Sequence, residues 1–193
     1  MHSSGRVDAA VIAGLDRAAS FLVDRWLALF NGVVALYVAL PVVAPLLLVA
    51  GARVPADFIY WLYSYACNQL PTHSWFLFGY QMAFCQRDTA IYLSLLVGGI
   101  LYGQRRYWTR GLPLWMYVLL ALPIAIDGGT ATLGWRESTP LLRTLTGALF
   151  GLASAWYLYP LMDRALAPFC EVPTHSVFLE GHSTLPVAHE EVT

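Results

Sequence analysis

Two stretches of the chain hold nearly all the side chains that could do chemistry. The first, residues 67–88, carries Gln69, His73, Ser74, Gln81, Arg87 and Asp88 together with two thiols, Cys67 and Cys85. The second, residues 127–146, carries Asp127, Thr130, Arg136, Glu137, Ser138, Arg143 and Thr146. A guanidinium presents a planar fork of N–H donors that matches a carboxylate or a phosphate. Arg87, Arg136 and Arg143 are therefore candidates to hold an anionic group, with Asp127 and Glu137 orienting them or taking a proton. Gln69, Gln81, Asp88, Thr130, Ser138 and Thr146 complete the candidate ligand-binding set. The competing reading is a structural clasp, in which Arg87, Asp88, Asp127, Glu137 and Arg143 pair among themselves and close one end of a helix bundle.

Neither stretch offers a nucleophile with its base and a third orienting group. Asp127-Gly128 resembles the start of the motif in membrane enzymes that transfer phosphoalcohols. That chemistry needs several carboxylates around metal ions, and no second D-x-x-x-D follows. Catalysis is therefore left open, and the catalytic residues are unassigned.

The elements that must position these residues are membrane spans. The chain has 193 residues, 58% hydrophobic and 12% charged, with mean hydropathy +0.57. Soluble domains run near 45–50% apolar and about 25% charged. All 11 basic residues are Arg, against 12 acidic ones, with no basic block. A nucleic-acid partner is excluded on that ground. The first residues lack the basic segment and apolar core of a cleavable signal peptide. Residues 7–25 place Val11, Leu15, Ala18 and Leu22 on one side and Asp16, Arg17 and Asp24 on the other, an amphipathic helix too charged to span. Residues 26–50 form a first span with one polar side chain, Asn31, and with Pro41 and Pro45 expected to kink it. Residues 51–66, dense in Tyr, Trp and Phe, suit a short interfacial helix. Further spans are expected from about 82 to 103, over 112–126 and over 141–162. Gly147 and Gly151 in the last make a small-x-x-x-small pair for close helix contact. Residues 163–193 read as a flexible cytoplasmic tail.

Arg placement orients the spans. The loop 104–112 holds Arg105, Arg106 and Arg110 and is expected inside, which puts both termini in the cytoplasm. Seven Arg then lie inside and four outside, and both chemical stretches face outward. A transporter is disfavoured, because Asp127 and Arg143 lie at span ends and Asn31 is alone inside one.

The stretches 67–74 (CNQLPTHS), 78–81 (FGYQ), 85–92 (CQRDTAIY), 127–130 (DGGT), 134–138 (GWRES) and 142–147 (LRTLTG) resemble a bacterial membrane family labelled domain of unknown function 2085. The family pattern runs C-H-Q-x-P-x-R-S, C-x-R-C-x-G-I-Y, D-G-x-x-Q and G-x-R-E-S-x-x-x-R-x-x-T-G. The resemblance covers about residues 60–162 and implies a fold neighbourhood without implying a reaction. Four positions depart from it. Asn68 replaces a His, His73 an Arg, Asp88 the second Cys of C-x-R-C, and Ala90 a Gly. The family's Cys-His-Cys-Cys set has the character of a zinc site. Carried onto this chain it becomes Cys67, His73, Cys85 and Asp88, and zinc is the cofactor it implies. The lost C-x-x-C argues against thiol redox chemistry.

Three fates are open for Cys67 and Cys85, which lie 18 residues apart on the expected outer face. The expected one is a disulfide closing that loop, and the alternatives are metal ligation and free buried thiols. The segment PTHSWFLFG at 71–79 is echoed by PTHSVFLEG at 173–181, with seven of nine positions matching. His175, His182 and His189 follow in the tail as incidental residues.

The expected protein is an all-α integral membrane protein with four transmembrane helices, an amphipathic N-terminal helix and a short interfacial helix. Its domains are 1–25, 26–162 and 163–193. Its place is a bacterial inner membrane, and its partners are the lipid bilayer and other membrane subunits. Its outward polar site binds or processes an anionic lipid or envelope molecule. The alternative is an accessory subunit or assembly factor, with the charged cluster as clasp.

Overall fold

The computed structural model describes residues 4–105 and 110–170. The fold is mostly helical. Helix α1 spans Ser4–Val49, α2 Arg53–Ser64, α3 Gln86–Gln104, α4 Leu114–Thr132 and α5 Pro140–Cys170. A short antiparallel hairpin, β1 Ser74–Leu77 and β2 Tyr80–Cys85, sits between α2 and α3. The tail beyond residue 170, with the echoed segment and its three His, lies outside the described residues.

Helix α1 is continuous where an amphipathic helix and a separate span were expected. Asp16, Arg17, Asp24 and Arg25 mark where the apolar run begins, but charges do not end a helix. Residues 15–31 contain neither Pro nor Gly to interrupt the backbone ladder there, and the helix continues even through Pro41 and Pro45. The end of α1 has a clear cause. Gly51, at φ +79°, donates to Leu48 O at 3.1 Å, while Ala52 donates to Leu47 O at 2.8 Å. This left-handed cap satisfies two terminal carbonyls and turns the chain sharply into α2.

Helix α2 lies against α1 through Ala56, Ile59 and Tyr63, and the Tyr63 hydroxyl donates to Tyr37 O at 2.7 Å. Its other side leaves Val54, Phe58, Trp61 and Tyr65 exposed. Tyr63 also meets Phe84 of β2 edge to face, with ring centroids 4.7 Å apart. Ala44, Ile59, Tyr63, Ala83 and Phe84 form the core at this end. The hairpin was not expected. Its turn is Phe78-Gly79, both at positive φ (51° and 83°), which suits the twist of a tight hairpin. A Phe there hides the Asn-Gly or Asp-Gly signal that would have announced the turn.

Helices α3 and α5 make the closest contact in the bundle. A Cβ on Gly147 would lie 2.7 Å from Arg87 O, and one on Gly98 would lie 2.6 Å from Ala155 Cβ. A Cβ on Gly151 would collide with the Ile91 carbonyl and Ser94 Oγ. The small-residue stripe thus lets two backbones approach, as its spacing suggested. Helix α4 joins α5 through Tyr117, stacked on Tyr157 at 4.8 Å. At the far end Asp163 accepts from Trp26 Nε1 at 2.8 Å and from Tyr102 Oη at 2.5 Å, tying α5 to α1 and α3.

Three helices are long and apolar enough to cross a membrane: residues 17–49, 114–132 and 140–168. Helix α3, expected as the fourth, has 19 residues, about 28 Å of rise. Its Gln86, Arg87, Asp88, Ser94 and paired glycines serve contacts with its neighbours and dilute its apolar character. The last span also runs past residue 162, through Pro168.

Candidate functional site

The end of the bundle formed by the hairpin, the starts of α3 and α5 and the end of α4 gathers both chemical stretches. They resolve there into two centres with opposite charge logic.

The first is built on Asp127, near the end of α4 and 2% exposed. Its Oδ2 accepts from Arg87 Nη2 at 2.5 Å and from Ser138 Oγ at 2.9 Å, and its Oδ1 accepts from Arg136 Nη2 at 2.7 Å. Arg136 Nε also donates to Thr130 Oγ1 at 3.1 Å, and that hydroxyl donates back to Ile126 O at 2.7 Å. A buried carboxylate is tolerable only with such partners. Three donors from α3 and the α4–α5 loop engage both of its oxygens.

The second centre lines a cavity of about 440 Å³ whose wall includes Cys67, His73, Cys85, Arg87, Asp88 and Arg143. Arg143, in the first turn of α5, is 6% exposed. The only hydrogen bonds of its guanidinium among the described residues are long ones from Nη1, 3.3 Å to Thr72 O and 3.5 Å to Gln86 Oε1. No carboxylate among the described residues lies within ion-pair distance of it. Buried Nε of Arg87 likewise has no acceptor. Burial and the nearby Arg143 and Arg87 charges lower the pKa of His73, with Glu137 opposing.

Beside these cations sits a thiol cluster. The Cys85 thiol donates to Asp88 Oδ2 at 3.1 Å, and the Asp88 backbone N–H donates to Cys85 Sγ at 3.4 Å. Cys85 is thereby the N-cap of α3. Its sulfur also faces Cys67. That hydrogen bond pulls the Cys67 thiol down to about 7 and pushes Cys85 up. One S–H thus stands between two acceptors.

The expected disulfide is not formed. Cys67 and Cys85 are both free, held as hydrogen-bonding neighbours because Cys85 is turned toward Asp88. Of the four-residue metal set, Cys67, Cys85 and Asp88 converge, with ligand atoms within 4.8 Å of one another. His73 stands apart on the cavity wall. Gln69 and Gln81 carry structural bonds. Gln69 Nε2 donates to Tyr60 O at 2.7 Å, and Gln81 Nε2 donates to Gln69 O at 2.5 Å and Ser74 Oγ at 3.1 Å. Thr146 bonds back to Leu142 O at 2.8 Å, within its own helix. Glu137 is exposed and makes no ion pair among the described residues. Sequence reading missed Gln86, 4% exposed, which accepts from Arg143 and donates to Ser74 O at 3.4 Å. Its place one residue after the N-cap, ahead of an apolar run, was the available signal.

Residues 67–157 match the profile of the family described as Predicted membrane protein (DUF2085). An uncharacterized protein of Methanocaldococcus jannaschii is 39% identical over 105 residues, covering 53% of this chain and 67% of that protein. The chain belongs to this family. An uncharacterized protein of Methanothermobacter thermautotrophicus is 29% identical over 93 residues, covering 48% of this chain and 84% of that protein. The family is the expected one, but both relatives are archaeal where a bacterial family was expected. No solved structure matches. The DUF2085 segment opens at Cys67 and includes Asp127, Arg143 and every residue of the thiol cluster.

Proposed function

We propose that this DUF2085 protein binds an anionic group in the cavity beside Arg143, at the outer face of a cell membrane. The observation that carries the reading is the burial of Arg143 with no acid among the described residues within ion-pair distance of it. A buried guanidinium without a counter-charge is costly, and a bound anion supplies what the fold withholds. His73 adds a donor to the same wall. A phosphate or carboxylate, on a lipid or on another envelope molecule, has the matching chemistry.

In this reading α3 completes a set of four spans, α1, α3, α4 and α5 alternate across the bilayer while α2 lies at its surface, and both termini are cytoplasmic. The excess of Arg around residues 105–110 supports that orientation. Processing of the bound molecule is compatible with the site, but binding is the activity proposed. The alternative, an accessory subunit with a structural clasp, draws on the saturated Asp127 centre.

The test uses the full chain in detergent, with inorganic phosphate in one arm and phosphatidylglycerol nanodiscs in the other. Phosphate at a hundredfold excess over its Kd is expected to raise the unfolding temperature by about 5 °C or more. Arg143→Gln should abolish the shift. Stabilisation by nanodiscs alone assigns the anion to lipid. No shift in either arm, or a shift that persists in Arg143→Gln, overturns the reading.

A further inference from the structure

We propose that Cys67, Cys85 and Asp88 bind one zinc-class divalent ion, with an open coordination position facing the cavity. This site is built on the thiols and does not involve Arg143.

The three donor atoms already lie within 4.8 Å of one another. Tetrahedral zinc with Zn–S bonds of about 2.3 Å needs sulfurs roughly 3.7 Å apart, so modest side-chain rotations close the site. The backbone around it is set. Cys67 follows α2 and donates its N–H to Tyr63 O at 3.0 Å. Cys85 ends β2 and caps α3, and Asp88 follows in the first turn of α3. A spacing of three residues across a helix start puts both side chains on one side.

The donor chemistry also points to a cation. Two sulfurs and a carboxylate converge, and the Cys85 thiol donates to Asp88 Oδ2 across them. Asp88 makes no ion pair among the described residues, and the guanidinium next to it in sequence, Arg87, is committed to Asp127. Binding the ion displaces the thiol protons to solvent and puts one positive centre among three electron-rich atoms. Two thiolates with a carboxylate select a borderline-soft metal over magnesium or calcium. The Asp88 N–H bonded to Cys85 Sγ would then support a ligating thiolate, as outer-shell donors do in metal sites. Three protein ligands leave one position, and the 440 Å³ cavity adjoins it. That is the pattern of a metal that receives a further molecule, not of a closed structural site.

The full chain, reduced and stripped with a chelator, is titrated with cobalt(II) in detergent. One tightly bound ion per chain is expected, with a thiolate-to-cobalt charge-transfer band that zinc abolishes. Cys67→Ser and Cys85→Ser should each lose the band, and Asp88→Asn should weaken binding by more than ~10-fold. Because Cys85 also caps α3, a readout without substitution accompanies these. Zinc should protect two of the three thiols of the native chain from alkylation. Arg143→Gln should keep the band while losing the phosphate response, which separates this site from the anion reading. Absence of the band, its persistence in Cys67→Ser, or no thiol protection by zinc overturns the proposal.

Discussion

Asp127 and Arg143 sit at the same end of the bundle, both almost wholly buried, and the fold treats them oppositely. Asp127 has a donor from α3 and two from the α4–α5 loop, all at 2.9 Å or less. Arg143 has two long contacts to neutral oxygens and, among the described residues, no acid in ion-pair reach. A charge surrounded by its counter-charges holds helices together. A charge left facing a cavity is available to something else. The difference separates a clasp from a site, two roles that the charged residues of this region had seemed to share.

The contrast is broken most severely from the clasp side. Asp127→Ala leaves Arg87 and Arg136 facing a buried void, and a loss of about 3–5 kcal/mol is expected in denaturant or thermal unfolding. Just beneath both centres, Gly147→Ala presses a methyl against Arg87 O. Overpacking of this kind costs about 1–3 kcal/mol, again read from unfolding. Arg143→Gln is expected to change stability by less than about 1 kcal/mol, because it removes a desolvated charge along with two weak hydrogen bonds. If Arg143→Gln proves as damaging as Asp127→Ala, the contrast fails and Arg143 belongs to the clasp.

The smallest effect is a pH slope. His73 titrates below the ordinary histidine value of 6.5, so the unfolded chain binds its proton more readily than the folded one. Stability from this group is present above about 6.5 and is lost as pH falls through the folded value. Bound phosphate offsets the Arg143 and Arg87 charges and should move the His73 resonance in NMR titrations toward a higher pKa. His73→Asn should remove that part of the slope.

Much of this was legible in the sequence. Three apolar spans, the small-residue stripe and the gathering of polar residues at one end follow from the apolar runs and the residues between them. Spans of that length leave their ends only two places to go. What stayed hidden depended on which way a side chain points. Arg143 and Asp127 are 16 residues apart, and distance along the chain does not tell which face of α5 carries the arginine. Its alignment with Gly147 and Gly151, at i+4 and i+8, was the clue. That stripe faces α3, so Arg143 meets Gln86 while Asp127 meets Arg87. The hairpin was hidden by Phe78 in a conformation that glycine usually takes. The continuity of α1 was hidden by charges that look like a boundary but break no hydrogen bond.

The aromatic face of α2 has a consequence for how a ligand arrives. Val54, Phe58, Trp61 and Tyr65 recur every three or four residues and point away from the protein. Rings of this kind settle where hydrocarbon meets headgroup. In the proposed orientation α2 is a float, bonded to the hairpin through Tyr60 and Gln81. It fixes the waterline of the molecule close to Cys67, which follows it directly. The mouth of the cavity is thereby moored among the headgroups, and it stays there if the bilayer thickens or thins around the spans. A molecule travelling in the plane of the membrane meets that mouth side-on.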